Sequence, residues 1–278
     1  MQNGDDDPPN PFEGPPVTLK SDTTSPAARR AAFRRDPRGT LVCGQKSDCL
    51  IAKEEVGVRK AGLRVHIEEG RALRFARTLQ LPVPFVHDLI SDGQRNEILM
   101  EFVDGECLEE AWPSMDEDQK RSIAEQLKHI INIMRQAEPK QLEIGALGGP
   151  ARDLRQFTDY YGGPFSSETD FNDFVLDFLP TTPRPIQAAI SNSFDNQNQI
   201  KFTHGDLTPR NVIVKDGSIQ ALLDWEYSGW YPEYWEYVKF FDRPTNCRDW
   251  KDYATLIFEK QYPRQLLTFQ ALARCQRP

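Results

Sequence analysis

The chain has 278 residues and a formal net charge of −8, from 34 Lys and Arg against 42 Asp and Glu. This length suits one large domain or two lobes, and it is sufficient to bury a core without disulfides or a structural metal. The acidic charge argues against a nucleic-acid-binding protein, because such proteins need clustered Lys and Arg to displace counterions. No stretch approaches the roughly 18 consecutive apolar residues that a membrane span requires.

Cysteine and histidine usage is typical of a reducing compartment. The number of cysteines is odd, their spacing is scattered and no C-x-x-C pair occurs, which favours free thiols over a disulfide framework. The four histidines show no metal-ligand spacing. The first residues, MQNGDDD, lack the basic and apolar segments of a secretory signal. We therefore expect a cytoplasmic protein that binds neither nucleic acid nor membrane, and the sequence leaves its protein partners unknown.

Residues 1–38 differ in composition from the rest of the chain. They hold seven of its 21 prolines and the acidic run Asp5–Asp7. Such a segment cannot bury enough apolar surface to offset the entropy cost of ordering the chain. The sequence predicts a disordered or loosely packed N-terminal arm.

Residues 39–103 combine strand-like runs with one amphipathic segment. Short strands are predicted at residues 40–43, 49–52, 56–60, 83–89 and 97–102. Apolar residues at helical spacing predict one helix over residues 67–79, which Pro82 and Pro84 bring to an end. This pattern is typical of a small α+β unit.

Residues 104–278 are mainly helical in pattern. Ser114–Glu117 reads as a capping box, in which a hydroxyl and a carboxylate satisfy free backbone N–H groups. The apolar stripe that follows predicts a long helix ending before Pro139, and a second stripe runs from Phe171 to Leu179.

The most informative segment is Phe202–Lys239. Asp206 lies in a loop after a short predicted strand, and Asn211 follows it by five residues. Asp216-Gly217 predicts the tight turn of a hairpin. Asp224 comes directly after that hairpin, 13 residues beyond Asn211, so the hairpin folds it back beside Asn211.

These residue types are the ones that phosphoryl transfer from a nucleotide requires. Mg²⁺ must bridge the anionic phosphates and prefers oxygen ligands, and a carboxylate must orient or deprotonate the acceptor hydroxyl. Kinases place these parts in the order found here. Taken singly, Asp206 and Asp224 could be turn residues and Asn211 could merely start a hairpin. Taken together, they predict a site with Asp206 as the catalytic base and with Asn211 and Asp224 as Mg²⁺ ligands.

The segment Thr203–Asp224 resembles the phosphotransferase family of aminoglycoside and choline kinases. The family motif H-G-D-x-x-x-x-N occurs as HGDLTPRN, and the metal-binding Asp precedes an aromatic residue in LLDWE. The run Gly229–Lys239, GWYPEYWEYVK, is similar to the branch common in filamentous fungi. The resemblance implies a bilobal, protein-kinase-like α+β fold. Its small antiparallel-sheet N-lobe with one helix would span residues 39–103, and its larger, mainly helical C-lobe residues 104–278.

The resemblance also implies a lysine–glutamate pair that places the nucleotide phosphates. The segments VRKAG and EGRALRF match the family pattern and indicate Lys60 and Glu69. Lys53 and Glu68 are the rival candidates. Without the downstream motif, an ordinary surface ion pair worth under about 1 kcal/mol would be the preferred interpretation.

The segment LMEFV resembles the family's hinge between the lobes. There, backbone N–H and C=O groups of Glu101, Phe102 and Val103 would hydrogen-bond an adenine edge, although a plain buried strand would be equally apolar. A Gly-rich phosphate loop is missing, because the candidate turn at residues 43–48 has a single Gly. The absence of G-x-x-x-x-G-K-[ST] excludes a P-loop enzyme.

Four carboxylates follow the predicted metal-binding Asp: Glu226, Glu233, Glu236 and Asp242. They could favour a cationic, amine-bearing acceptor, or they could belong to a helix-capping cluster with aromatic packing. We expect His204 to brace the catalytic loop through hydrogen bonds and Arg210 to neutralise charge near it.

The sequence thus predicts an ATP- and Mg²⁺-dependent kinase that phosphorylates a hydroxyl of a small molecule. The alternative is a catalytically weak or inactive kinase-like nucleotide-binding protein, which the presence of all the expected site residues disfavours. A protein kinase is disfavoured further, because HGD replaces HRD, DWE replaces DFG and no A-P-E segment occurs. The sequence does not determine the acceptor.

Overall fold

The computed structural model describes residues 18–19, 40–43, 49–54, 57–93, 95–155 and 158–276. Apart from Thr18–Leu19, the predicted N-terminal arm lies outside the described residues. The same is true of residues 44–48 in the candidate phosphate turn.

Six of the described strands form the sheet of the N-terminal part. They are β1 (Thr18–Leu19), β2 (Thr40–Cys43), β3 (Cys49–Glu54), β4 (Gly57–Gly62), β5 (Val86–Ser91) and β6 (Asn96–Met100). Their order across the sheet is β1-β5-β6-β4-β3-β2. All neighbours are antiparallel except β1, which runs parallel to β5. The five strands predicted within residues 39–103 are confirmed, with shifted ends.

The predicted helix on this sheet is confirmed as α1 (Ile67–Thr78). Ala72, Leu73 and Ala76 are buried on its inner face. The helix lies close to β5 at Gly70, where an added Cβ would stand 2.1 Å from a methyl carbon of Leu89. This close approach holds the neighbouring residue, Glu69, under the sheet.

Seven further strands lie in the C-terminal part. They are β7 (Glu106–Cys107), β8 (Ala151–Arg155), β9 (Thr158–Gly162), β10 (Ile200–Thr203), β11 (Val212–Lys215), β12 (Ser218–Leu222) and β13 (Gly229–Pro232). They pair as β12-β11-β7, β8-β9 and β10-β13. The predicted β11–β12 hairpin is confirmed. The β8–β9 hairpin was not predicted, because ARDLR lacks the apolar alternation of a half-buried strand.

The helices after α1 are α2 (Leu108–Ala111), α3 (Glu117–Gln136), α4 (Glu168–Val175), α5 (Arg184–Ser191), α6 (Trp235–Asp242), α7 (Ala254–Ile257) and α8 (Pro263–Ala273). Short 3₁₀ turns occupy Trp112–Ser114, Pro209–Asn211 and Trp250–Tyr253. The mixed α+β architecture is therefore confirmed. No described helix is long and apolar enough to cross a membrane.

The capping box predicted at Ser114–Glu117 is wrong in position. A 3₁₀ turn runs through Ser114, so the chain reaches an extended cap conformation two residues later, at Asp116. The Asp116 carboxylate accepts from the Gln119 N–H at 2.8 Å, and the Gln119 side chain accepts from the Asp116 N–H at 2.9 Å. Similarly, α4 ends at Val175, so the predicted helix stops before Leu179.

The core of the C-terminal part is dominated by aromatic side chains. The apolar stripe of α3 is buried from Ile123 to Met134. It joins a continuous core whose largest fully buried side chains include Trp112, Trp225, Trp235, Trp250 and Tyr231. Rigid rings of this size bury much apolar surface each, so they give the loops around β10 and β11 a fixed base.

Candidate active site

The loop between β10 and β11 carries Asp206. The residue before Asp206, Gly205, adopts a backbone conformation that favours glycine. Gly205 has a φ of +79°, and an added Cβ would lie 2.6 Å from the Tyr227 carbonyl oxygen. Both the left-handed backbone and the close approach exclude a side chain at this position. Asp206 itself is only 4% exposed.

Two buried residues of the α6 region hold this loop from behind. The Glu236 carboxylate accepts from the His204 N–H at 2.6 Å and from the Gly205 N–H at 3.3 Å. Arg243 Nε donates to the Gly205 carbonyl at 3.0 Å. Burial raises the pKa of Glu236, although the nearby His204 and the loop N–H groups act against that rise. The loop is thus tied to α6 at two adjacent peptide groups.

His204 braces the loop, as predicted. The Asp206 N–H donates to His204 Nδ1 at 3.2 Å, so Nδ1 is the acceptor in this arrangement. Nε2 then carries the ring proton and donates to the Leu223 carbonyl at 2.9 Å. The ring therefore links the loop to the residue that precedes Asp224.

Asp206 is oriented by the two residues before β11. Arg210 Nη2 lies 2.9 and 2.8 Å from the two Asp206 carboxylate oxygens, as expected of a cation that neutralises charge near the loop. Asn211 Nδ2 donates to the Asp206 carboxylate at 3.0 Å and to its main-chain carbonyl at 2.9 Å. Since the Asn211 amide nitrogen is used in this way, its Oδ1 is the atom suited to a metal.

The β11–β12 hairpin brings Asp224 back to Asn211. The Leu223 N–H donates to the Asn211 carbonyl at 2.8 Å. Asp224 follows with a φ of +59°, a left-handed conformation that costs a non-glycine residue free energy and is concentrated at functional sites.

Lys60 joins β4, α1 and the end of β12. Its Nζ lies 2.8 Å from Glu69 Oε1 and 2.8 Å from Asp224 Oδ1. Glu69, and not Glu68, is therefore the partner of Lys60, while the rival Lys53 lies on β3, where the backbone alone is described. The lysine and Glu69 are buried, with exposed fractions of 8% and 2%.

Lys60 and Asp224 each favour the charged form of the other. Burial by itself would lower the pKa of Lys60, but the carboxylates of Asp224 and Glu69 raise it well above its usual value. Burial would raise the pKa of Asp224, and the Lys60 ammonium outweighs that effect and lowers it. For Glu69 burial prevails, and its pKa is raised. Lys60 is therefore a firm cation between two carboxyl groups.

Glu226 is partly buried and lies near the same group. Burial and the neighbouring Asp224 raise the pKa of Glu226 to about 7. Arg152 Nη1 lies 3.5 Å from Glu226 Oε2. The sequence placed Glu226 among acids on the acceptor side, whereas the structure places it near Lys60. The sequence D-W-E could have predicted this position, because it places the Glu226 carboxylate two residues after Asp224.

The other acids of that predicted set are engaged elsewhere. Glu233 pairs with Lys260 and Tyr262, at 2.8 and 3.0 Å. Glu236 holds the catalytic loop, and Asp242 lies 3.0 Å from Lys239. The predicted acidic acceptor surface is therefore not found as a group among the described residues.

The predicted hinge, Glu101–Val103, connects β6 to β7. The Glu101 N–H donates to the Phe85 carbonyl at 2.8 Å, and the Glu101 carboxylate accepts from the Phe85 N–H at 3.0 Å. The Glu101 N–H is thus already used, so any contact with an adenine edge falls to the other backbone groups of this segment.

The side-chain oxygens of Asn211 and Asp224 are of the kind that would hold Mg²⁺ together with nucleotide phosphates. Mg²⁺ in kinases is held by one or two protein oxygens together with phosphates and water. The described part of the chain contains no group of three His, Cys, Asp or Glu residues that could hold a metal by itself.

Comparisons with known proteins identify the family and the fold. A family model of the phosphotransferase enzyme family (APH) matches residues 61–267. Aminoglycoside phosphotransferase APH(4)-Ia shares the fold with a TM-score of 0.59 and 14% identity, over 89% of this chain and 88% of that one. The streptomycin–ATP–APH(2")-IIa ternary complex matches with a TM-score of 0.59 and 13% identity, over 90% of this chain and 87% of that one. Aminoglycoside-3'-phosphotransferase of type VIII matches with a TM-score of 0.55 and 14% identity, over 88% of this chain and 97% of that one. A search of curated proteins finds no match.

The fold is the kinase-like one of the solved aminoglycoside phosphotransferases. Because the family match extends over roughly three quarters of the sequence, the chain belongs to the APH phosphotransferase enzyme family. The predicted family resemblance is thereby confirmed.

Proposed function

We propose that the protein transfers the γ-phosphoryl group of ATP, with Mg²⁺, to a hydroxyl of a small molecule. The observation that carries this proposal is that Lys60 lies within hydrogen-bond distance of both Glu69 and Asp224. The His204 ring connects this group to the loop of Asp206, because it contacts the Leu223 carbonyl and the Asp206 N–H. A set of surface ion pairs would not require this burial.

Lys60 would position the nucleotide phosphates, and Glu69 would hold the Lys60 ammonium in place. The adenine would contact backbone groups within Glu101–Val103. Asn211 and Asp224 would hold Mg²⁺, which neutralises the charge of the phosphates. A solved relative that contains AMP-PNP and hygromycin B supports a nucleotide donor for this fold.

Asp206 would orient the acceptor hydroxyl and accept its proton as the oxygen attacks the phosphorus. The hydrogen bonds from Arg210 and Asn211 fix the carboxylate for this role. The transfer is a direct in-line displacement and needs no phosphorylated enzyme. We also propose a cytoplasmic location, which the scattered cysteines support; Cys107, Cys247 and Cys275 are free thiols.

The test is a screen of hydroxyl-bearing metabolites for Mg²⁺-dependent ADP release, followed by the Asp206→Asn variant. We expect turnover to fall by about 10²–10⁴-fold, the usual contribution of a positioned base, while Mg-ATP binding is retained. Asp216→Asn is a matched control at an exposed turn with a φ of +51°, which Asn tolerates well. Full turnover in Asp206→Asn would exclude this role. Mg-ATP binding without turnover of any acceptor would favour a non-catalytic nucleotide-binding protein.

The metal assignment has a separate test. Chelation of divalent cations is expected to abolish turnover. Asp224→Asn is expected to raise the Mg²⁺ concentration needed for half-maximal ADP release by about 10-fold or more, because an amide oxygen is a weaker ligand than a carboxylate. An unchanged Mg²⁺ dependence would contradict the assignment of Asp224 as a ligand.

A further inference from the structure

A cleft of about 390 Å³ lies in the C-terminal part of the molecule, between β8, the end of α6 and α8. Part of its wall is apolar and includes Val238 and Phe269. The charged residues of the lining are Asp153, Arg155, Lys239, Asp242 and Arg243. Its volume lies within the range of small-molecule sites.

The cleft adjoins the proposed base. Arg243, which lines it, donates from Nε to the Gly205 carbonyl at 3.0 Å, and the same Nε lies 3.6 Å from Asp206 Oδ1. Pro244, also in the lining, accepts from Arg210 Nη1 at 2.9 Å. Arg210 Nη2 in turn binds Asp206. A molecule in this cleft would therefore lie beside the residues that hold the base.

The charges of the lining do not cancel. Asp153 Oδ1 lies 2.5 Å from Lys239 Nζ, and Asp153 Oδ2 lies 2.8 Å from Arg155 Nε. Lys239 also lies 3.0 Å from Asp242, and Arg155 lies 3.6 Å from Asp177, outside the lining. Two lining carboxylates are thus matched by two lining cations. Arg243 is the third cation of the lining, and its nearest carboxylate, Asp206 at 3.6 Å, lies outside the lining and is already bound by Arg210.

Arg243 has donors to spare. No described residue accepts a hydrogen bond from its Nη1 or Nη2, although the residue is only 3% exposed. Its guanidinium stacks over the Tyr227 ring, with Cζ 4.1 Å from the centroid. In the same lining, Arg155 Nη1 is buried and has no hydrogen-bond partner among the described residues. A guanidinium with two free donors matches a carboxylate, which it can bind with two parallel hydrogen bonds.

We infer that this cleft binds the phosphoryl acceptor through an anionic group on Arg243. The substrates would be hydroxy acids: molecules with a hydroxyl, a carboxylate and an apolar body that contacts Val238 and Phe269. The excess positive charge would disfavour polycationic amino sugars. This inference rests on the proposed function for the statement that the bound molecule is the acceptor. The preference for anions is a property of the cleft that binding alone can measure.

The first experiment compares three probes that share one skeleton and differ in charge. They are 4-(hydroxymethyl)benzoate, 4-(hydroxymethyl)benzamide and 4-(hydroxymethyl)benzylamine. Binding to the full chain is measured by ligand-observed NMR or calorimetry with Mg-AMP-PNP present, and ADP release is measured with Mg-ATP. We expect the carboxylate to bind about 10-fold more tightly than the amide, as a charge-assisted contact does, and the amine to bind least tightly.

The second experiment changes the lining. Arg243→Met is expected to weaken carboxylate binding by about 10-fold, and Arg243→Lys to restore part of it, because lysine keeps the charge and loses the two-donor geometry. Arg243 also holds the catalytic loop, so its substitution could weaken binding by moving that loop. Asp242→Asn tests the effect of charge on binding without changing Arg243. Asp242 is exposed at the end of α6, and its neutralisation should tighten carboxylate binding by about 3-fold. Asp216→Asn is the matched control and should change neither value.

The outcomes separate the two proposals. Carboxylate binding that follows these variants, without ADP release from any acceptor, would support the anion site and contradict the kinase activity. ADP release with amines preferred over carboxylates would support the kinase and overturn the anion site. Failure of the carboxylate to bind at about 10 mM, where even a weak specific contact becomes visible, would also overturn it.

Discussion

The two sides of the β10–β11 loop hold opposite arrangements of charge. On the first, the Lys60 side, one ammonium lies between the carboxylates of Glu69 and Asp224, at 2.8 Å from each. On the second, the Asp153 side, one carboxylate lies between Lys239 and Arg155, at 2.5 and 2.8 Å. The Lys60 side therefore has more carboxylates than cations. On the Asp153 side the buried groups are one carboxylate and mainly cations, and the further carboxylates, Asp242 beside Lys239 and Asp177 beside Arg155, are more exposed.

This difference indicates what each side is built to receive. An excess of buried carboxylate oxygens suits a divalent cation, while an excess of guanidinium donors suits an anion. The two sides also differ in how they respond to damage. A carboxyl group that loses its partner can take up a proton and become neutral, whereas a guanidinium stays charged at every accessible pH.

Removing the central residue of each side gives the largest expected effect on stability. Asp153→Asn should lower the free energy of unfolding by about 3–5 kcal/mol, because it leaves the buried Lys239 and Arg155 with only the more exposed carboxylates of Asp242 and Asp177 as partners. Lys60→Met should cost roughly half as much, since Glu69 can be protonated. The measurement is urea unfolding of both variants at neutral pH. An equal loss of stability in the two variants, or a larger loss for Lys60→Met, would contradict this reasoning. It would show that protonation of an unpaired carboxyl group does not make the Lys60 side more tolerant.

The pH dependence of stability offers an intermediate effect on the Lys60 side. Burial, with a contribution from Arg152, lowers the pKa of His66 from 6.5 to about 4. Between these values the unfolded chain binds more protons than the folded one, so stability is lost as the pH falls from 6.5 to 4. We expect this residue to account for about 1–2 kcal/mol, after allowance for its partial exposure.

The variant that tests this is His66→Gln, compared with the wild type by urea unfolding across the same pH range. The variant should lose less stability on acidification. His87→Gln, at an exposed position on β5, is the matched control. An unchanged acid slope in His66→Gln would assign the loss to other groups.

The smallest effect is expected for Arg64→Ala, at the contact that the two parts of the chain make at Asp159. Arg64 Nη2 lies 2.9 Å from the Asp159 carboxylate, but the Arg64 side chain is 50% exposed. Arg64→Ala should cost less than about 1 kcal/mol. Tyr227→Phe removes a buried donor at 2.5 Å from the same carboxylate, and it should cost about 1.5–3 kcal/mol. A reversed order in thermal unfolding would contradict this ranking by burial.

Prediction from the sequence succeeded where the signal is local. The hairpin β11–β12 and the helix α1 depend on spacings within short segments, so neighbouring residues suffice to predict them. The roles of Asp206, Asn211 and Asp224 stay predictions. The capping box failed by two residues, because Ser114–Glu117 and Asp116–Gln119 are both plausible caps and the 3₁₀ turn that separates them depends on packing. The β8–β9 hairpin failed because its inward residues are charged.

By itself, the sequence determined the family, the α+β architecture and the identity of the residues around the loop, since all of these are written in contiguous motifs. Tertiary structure alone decided which carboxylate pairs with Lys60, that Glu226 joins it, and that Arg243 reaches both the loop and the cleft. These contacts join residues that are far apart in the chain. Which residues pair in these contacts depends on burial and on the distances between charged atoms. Residue spacing along the sequence does not predict either quantity.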